Sequence, residues 1–281
     1  MSLVINTNTA SINAQRFLSA NTQALGKTME KLASGYRINK GADDSAGLQI
    51  SETLRAQIRG SQKAMDNVQD GTNVLNIMDG AMAQITENIQ RMRELAVQAA
   101  NDTLASTQRT AIKNEIDELS KDITRISDAT EYNGVKLING TQSNFFVQVG
   151  ANANNTVDRI DMASSGNVFA DIDATALSVN NLTVSDSANA QTSISTLDTA
   201  LTTVNNRRAT IGALTNRLQS AANNLSVNVE NLSAAESRIR NVDVAKESAQ
   251  LTRNQILQQA SSTILAQANQ SPQLALSLLR G

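Results

Sequence analysis

Leu197, Val204, Ile211, Leu218, Leu225, Leu232 and Ile239 recur every seventh residue without a miss, and this stripe constrains the fold more than any other feature. Ile194, Leu201, Ala222 and Val229 fill the position three residues earlier in four of these heptads. Such an a/d seam is the pattern of a long helix wound against other helices. The companion position is polar at Arg208, Thr215 and Glu236, which keeps the stripe narrow and calls for long helical partners rather than a thick core. Gly212 is the one helix-weakening residue within it.

Partners of matching period lie upstream. Met65, Val68, Thr72, Leu75, Met78, Met82, Ile85, Ile89, Met92 and Ala96 follow three-four spacing with one slip near Leu75, which overwinds a coiled coil locally without ending it. Ile112, Ile116, Leu119, Ile123 and Ile126 repeat the pattern over a shorter span. Surface helices of an ordinary globular domain would show wider stripes. The expected class is therefore mainly α: a long antiparallel coiled-coil rod with a small β-hairpin. Leu75, Met82, Ile89, Ile116, Leu119, Ile123, Leu197, Val204, Ile211, Leu218, Leu225 and Leu232 are the expected packing positions.

Several function classes fall to composition. With neither Cys nor His, the chain lacks thiolate nucleophiles, disulfides, the commonest general base and the commonest zinc ligands. No carboxylates are spaced as a recognisable site, so no catalytic, cofactor or metal residues are assigned. A net charge of -2 argues against nucleic acid as a partner, and no apolar run approaches the roughly 18 residues that would span a bilayer. Aromatic residues are 2% of the chain, which suits thin helix-on-helix packing. Residues 1–10 show no Sec-type signal peptide, and zero Cys also suits a protein that leaves the cell.

A first helix is expected over 2–33, with a sparse stripe of Leu18, Leu25 and Leu32 and poor helix formers among residues 6–13. Alone it would be marginal. Gly35 reads as a left-handed C-cap, and Asp43 or Asp44 as the cap of a second helix running to about residue 100. Gly60, Gly71 and Gly80 interrupt that helix, through simple tolerance or through close approach of a neighbouring backbone. A third helix is expected over 107–129, followed by a turn at 131–134. The period then alternates, predicting a β-hairpin over about 141–162. Residues 163–189 have few large apolar side chains and are expected to form a short exposed outer tip. Beyond Ile239, Leu257 and Ile264 are again seven apart, and Pro272 is expected to break the last helix before the apolar finish at Leu278 and Leu279.

Several stretches resemble the bacterial flagellin family. They are Ile5-Asn6-Thr7-Asn8, Leu32-Ala33-Ser34-Gly35-Tyr36-Arg37-Ile38-Asn39 and Asp43-Asp44-Ser45-Ala46-Gly47-Leu48 near the start. Gln90-Arg91-Met92-Arg93-Glu94-Leu95-Ala96-Val97 and Tyr132-Asn133-Gly134-Val135-Lys136-Leu137 follow, then Ser237-Arg238-Ile239-Arg240, Gln255-Ile256-Leu257-Gln258-Gln259-Ala260 and Leu265-Ala266-Gln267-Ala268-Asn269-Gln270. The resemblance implies terminal segments 1–44 and 240–281 that pair into an inner tube through Leu18, Leu25, Leu32, Leu257, Ile264, Leu278 and Leu279, and a rod domain over 45–239. Large outer domains are missing, so the chain is similar to the minimal form.

By the same resemblance the chain is a structural subunit that polymerises head-to-tail into a secreted, extracellular flagellar filament. It would be exported unfolded by the flagellar type III apparatus, with a chaperone on its C-terminal segment, and would meet filament-cap and hook-junction proteins. Gln90, Arg91, Leu95 and Glu115 match positions that engage Toll-like receptor 5, although the same residues could simply pack between subunits. A hook–filament junction protein and a secreted coiled-coil adhesin or translocator are the alternatives.

Overall fold

The computed structural model describes residues 7–163 and 168–280, with side chains through residue 270. Five helices and two short hairpins follow in the order α1 (Thr9–Ser34), α2 (Ser45–Ala99), α3 (Ser106–Ala129), β1 (Glu131–Tyr132), β2 (Val135–Lys136), β3 (Phe146–Gln148), β4 (Arg159–Asp161), α4 (Ser187–Arg240) and α5 (Val244–Arg280). Residues 1–56 with 231–281 form one compact unit and 57–230 another; α2 and α4 contribute residues to both.

Local chemistry sets the helix ends. The Asn8 side chain accepts the Ser11 N–H at 3.0 Å to open α1. Gly35, at φ 73°, closes it by donating its N–H to the Lys31 carbonyl. A left-handed C-cap strongly favours glycine, because it has no Cβ to clash. Asp44 caps α2 by accepting the Gly47 N–H at 2.9 Å. Asp43 instead ties the preceding loop, accepting from the N–H groups of Lys40 (3.0 Å) and Asn39 (3.1 Å). Those two bonds favour its ionised form and hold its pKa below the usual carboxylate value. Asp186 and Asp243 cap α4 and α5 in the same way.

In the 57–230 unit the heptads of α2, α3 and α4 do face one another. Leu75, Met82, Ile89, Ile116, Ile123, Leu197, Val204, Ile211, Leu218 and Leu225 are buried and Leu119 is half-buried; Leu232, also half-buried, falls in the other unit. Leu214 also lies in this core, widening the α4 stripe by one position. The polar companion Arg208 is accommodated by an ion pair across to α2, its Nε donating to Asp79 Oδ1 at 2.8 Å. Further along the same pair of helices, Arg93 Nε donates to Asp198 Oδ1 at 2.6 Å.

The alternating stretch forms the antiparallel β3–β4 hairpin with register Val147↔Ile160, and both of those side chains are buried. Two glycines of α2 make room for it. A Cβ at Gly71 would come within 2.9 Å of Val147 Cγ2, and one at Gly60 within 2.9 Å of the Ala151 Cβ. Close approach therefore explains Gly60 and Gly71, while Gly80 has open space and is merely tolerated. The 131–134 turn is itself the tip of a second hairpin, β1–β2, with Asn133 and Gly134 both at positive φ. That two-residue geometry is the one Asn-Gly favours.

Two expectations are corrected. Residues 168–184 are not a simple exposed tip: Val168, Phe169, Ile172, Leu177, Val179, Leu182 and Val184 are buried, while Thr175, Ala176, Ser178, Asn180, Asn181 and Thr183 between them are exposed. Phe169 stacks on Phe145 at 4.8 Å between ring centroids, and the Ile172 N–H donates to the Ile138 carbonyl. Their apolar residues come singly or in pairs among Asp, Asn, Ser and Thr, and no one spacing is sustained long enough to announce a helix or a strand. Second, α5 continues through Pro272 to Arg280. One missing donor costs about 3 kcal/mol in a helix interior, a penalty a 37-residue helix absorbs near its end.

Candidate functional site

Two surfaces carry the residues singled out by the sequence. The first is on α2 and α3. Arg91 Nε and Nη2 both donate to Glu115 Oε1, at 3.1 and 2.9 Å, and Arg91 Nη1 donates to Glu94 at 3.2 Å. The hydrogen bond with Glu115, and next that with Glu94, raises the Arg91 pKa. Gln90 is exposed beside this cluster. Leu95 is 3% exposed and belongs to the core, so it supports the patch from beneath rather than presenting an apolar surface. What remains accessible is a polar, charge-paired surface.

The second surface is the α1–α5 pair of the 1–56 and 231–281 unit. Helix α1 is reached through a short bridge, Tyr36↔Asn241, flanked by the Arg37 N–H on the Arg240 carbonyl and the Val242 N–H on the Gly35 carbonyl. Arg240 then stacks over the Tyr36 ring at 4.7 Å and donates to Glu52. That last bond is the main cause of a lowered Glu52 pKa.

Where α1 meets α5, the contact is largely polar. Asn254 donates to Thr28 Oγ1 at 3.0 Å, Asn21 to Ser261 Oγ at 2.8 Å, Asn8 to the Ala268 carbonyl at 2.8 Å, and Ser11 to Asn269 at 2.6 Å. Ala14 and Leu25 are the buried apolar residues of α1. Leu18 and Leu32 are half-buried. On α5, Leu251 and Leu265 are half-buried in line with Asn254 and Ser261, whereas Ile256 (61% exposed), Ile264 (59%) and Leu257 (43%) point the other way. Ile12, Phe17 and Met29 of α1 and Val244 of α5 are exposed as well. The side chains of Leu278 and Leu279 lie outside the described residues.

The helical stripe of Leu257 and Ile264 was legible in the sequence, but the side it faces was not. Missed entirely were Asn21, Thr28, Asn254 and Ser261. A 7-residue repeat of small polar residues gives no hydrophobic signal, although the spacing of Asn254 and Ser261 was there to be read.

The α1–α5 contact thus buries polar pairs beside a few apolar side chains and leaves several large apolar side chains exposed. The model of the bacterial flagellin N-terminal helical region matches residues 5–143, and that of the C-terminal helical region matches residues 194–279. The chain belongs to the bacterial flagellin family.

It is 44% identical over 280 residues to the flagellin of Halalkalibacterium halodurans, covering 99% of this chain and 100% of that one. It is 45% identical over 302 residues to the flagellin of Bacillus subtilis, covering 98% and 99%. The flagellar filament 33 kDa core protein of Treponema phagedenis is 38% identical over 294 residues, with 99% and 100% covered. Among solved structures, the crystal structure of Bacillus cereus flagellin matches with a TM-score of 0.50 and 31% identity, over 61% of this chain and 94% of that one. A putative flagellar hook-associated protein from Vibrio parahaemolyticus matches with a TM-score of 0.54 at 16% identity, over 71% and 100%, a likeness of fold alone. This flagellin is thus a structural subunit of the flagellar filament and not an enzyme. Its relatives place it in the extracellular filament, polymerised with copies of itself. The junction-protein, adhesin and translocator alternatives are not favoured.

Proposed function

We propose that the terminal segments, residues 1–44 and 240–281, form the inner tube of the filament and that 45–239 forms a rod domain outside it. The observation that carries this reading is the outward placement of Ile12, Phe17, Ile256, Leu257 and Ile264 on helices whose mutual contact holds buried polar pairs and few fully buried apolar side chains. An apolar surface of that kind gains burial only against other molecules. A head-to-tail interface that does not close yields a helical polymer. Removing the residues before Asp43, or those after Ile239, leaves a folded helical chain that cannot polymerise. Electron microscopy and light scattering under polymerising conditions test this: filaments from either truncated chain overturn the inner-tube assignment.

Weak pairing of α1 with α5 also suits passage through a narrow channel. The chain leaves unfolded through the flagellar type III apparatus, its segment from Val242 to Arg280 shielded beforehand by a cytoplasmic export chaperone. It then adds at the distal end beneath the filament cap, while hook-junction proteins hold the proximal end. Pull-down with residues 242–280 as bait checks the chaperone step; loss of capture on deleting that segment is the expected result.

In an infected host, Gln90, Arg91 and Glu115 form a contact for Toll-like receptor 5, with Leu95 shaping the surface from below. Charge-assisted hydrogen bonds are the strong kind such a patch can offer. Arg91→Ala monomer lowers reporter-cell activation by about tenfold, the loss of one or two such bonds. Leu95→Ala is read beside circular dichroism, since it removes a buried side chain. An undiminished response from Arg91→Ala removes the receptor assignment.

A further inference from the structure

The two buried polar rungs between α1 and α5 obey a rule that a merely weak interface would not need. Thr28 pairs with Asn254 and Asn21 with Ser261, so one heptad down α1 matches one heptad up α5. Thr28, Asn254 and Ser261 are all buried. Each rung is completed locally: Thr28 Oγ1 donates to the Ala24 carbonyl, Gln250 donates to Asn254 Oδ1, and Asn21 also reaches the Leu257 carbonyl. A slip of one heptad either way keeps one polar pair at most: one direction sets Asn254 against Asn21 but Ser261 against Ala14, and the other sets Ser261 against Thr28 but Asn254 against Gly35.

A competing arrangement exists. Leu257 and Ile264 lie three residues beyond Asn254 and Ser261, with the same seven-residue period. Turning α5 about its axis by about 60° would swing Asn254 and Ser261 out, with the half-buried Leu251 and Leu265 that flank them, and bring Leu257 and Ile264 in. Apolar burial is similar for the two faces, so it does not choose between them. In the structure Leu257 and Ile264 stay outside.

We propose that the Thr28–Asn254 and Asn21–Ser261 pairs are specificity-determining rungs. They fix both the register and the rotation of α5 on α1, so that Leu257 and Ile264 remain available to a second copy of the chain. Buried polar pairs in helical coils act this way, giving up stability to exclude alternative registers. The inference rests on the assembly reading above.

Three chains test it by seeded elongation on unmodified filaments: the unaltered flagellin, a Thr28→Val/Asn254→Leu chain, and an exchanged Thr28→Asn/Asn254→Thr chain. The apolar pair keeps or gains helicity by circular dichroism yet elongates about tenfold more slowly, while the exchanged pair recovers most of the rate, as one hydrogen bond lost and regained should. The chain has no cysteine, so single introduced thiols report rotation cleanly. In the apolar background Leu257→Cys reacts with maleimide more slowly, whereas Ile256→Cys stays reactive in both. An apolar pair that elongates at the unaltered rate with Leu257→Cys equally reactive overturns the proposal. Failure of the unaltered chain to elongate would overturn the assembly reading instead, and thiol reactivity would still decide the rotation.

Discussion

The two compact units of this flagellin are built from the same kinds of helix and filled in opposite ways. The contiguous apolar core runs from Ala64 to Leu225 and, among the described residues, includes none from α1 or α5. It packs Leu75, Met78, Met82, Ile85, Ile89 and Met92 of α2 with no measurable exposure. The α1–α5 contact buries Asn254, Thr28 and Ser261 beside Ala14 and Leu25, and leaves its isoleucines outside. Burying an aliphatic side chain stabilises by about 1.5–3 kcal/mol, while a neutral hydrogen bond adds about 0.5–1.5 net. The 57–230 unit therefore carries its own stability. On the assembly proposed above, the terminal pair gains its share from contact with other copies.

The sharpest way to break this contrast is to truncate one matched leucine in each unit. Leu75→Ala should cost about 2–5 kcal/mol and lower the monomer's thermal transition by several degrees. Leu25→Ala, on the terminal pair, should leave that transition unmoved and instead raise the concentration needed for polymerisation. Equal shifts in Tm would erase the distinction between the units.

Next in size are the helix glycines. Gly71→Ala forces a methyl against Val147, and Gly60→Ala forces one against the Ala151 Cβ, each expected to cost about 1–3 kcal/mol in urea unfolding. Gly80→Ala meets nothing and should stabilise by up to about 1 kcal/mol. Opposite signs along one helix would locate the hairpin contact by energetics alone.

Smallest is the response to pH. Asp43 and Glu52 in the terminal unit and Asp122 in the other have pKa values held below the usual carboxylate range. Backbone N–H groups do this for Asp43, Arg240 for Glu52, and Arg125 with Asn88 for Asp122. Because the folded pKa is the lower one, the stability these groups add is complete above about pH 4–5 and drains away as pH falls through the folded value. With no histidine in the chain, stability should be flat from pH 5 to 8. A midpoint shift across that neutral range would point to a titrating group not accounted for.

The sequence announced the helices well because their signals were periodic. Leu197 through Leu225 on α4 and Met82 through Met92 on α2 occupy the core as their spacing requires. Gly35 and Asp44 closed and opened helices through chemistry specific to those residue types. Residues 168–184 were misread because their apolar residues come singly or in pairs, with no one spacing sustained, so the burial of Val168, Phe169, Ile172 and Val179 depends on where the rest of the chain puts them. The assembly surface was half legible. Leu257 and Ile264 stand out as a stripe, but a stripe does not say whether it faces a partner in the same molecule or in the next. Only the hydrogen bonds of Asn254 and Ser261 show which side of α5 is already taken. Leu95 gives the converse lesson: it sits in a surface motif yet points inward.

Amide hydrogen exchange, followed residue by residue in dilute monomer and again in assembled filament, tests the central claim most directly. Amides of α1 and α5 should exchange far faster in the monomer than those of Leu75 to Met92 or Leu197 to Leu218, and should slow to comparable rates once filaments form. If α1 and α5 are already as protected in dilute monomer as the 57–230 core, the terminal pair is stable by itself, and the division between self-sufficient and assembly-dependent halves is wrong.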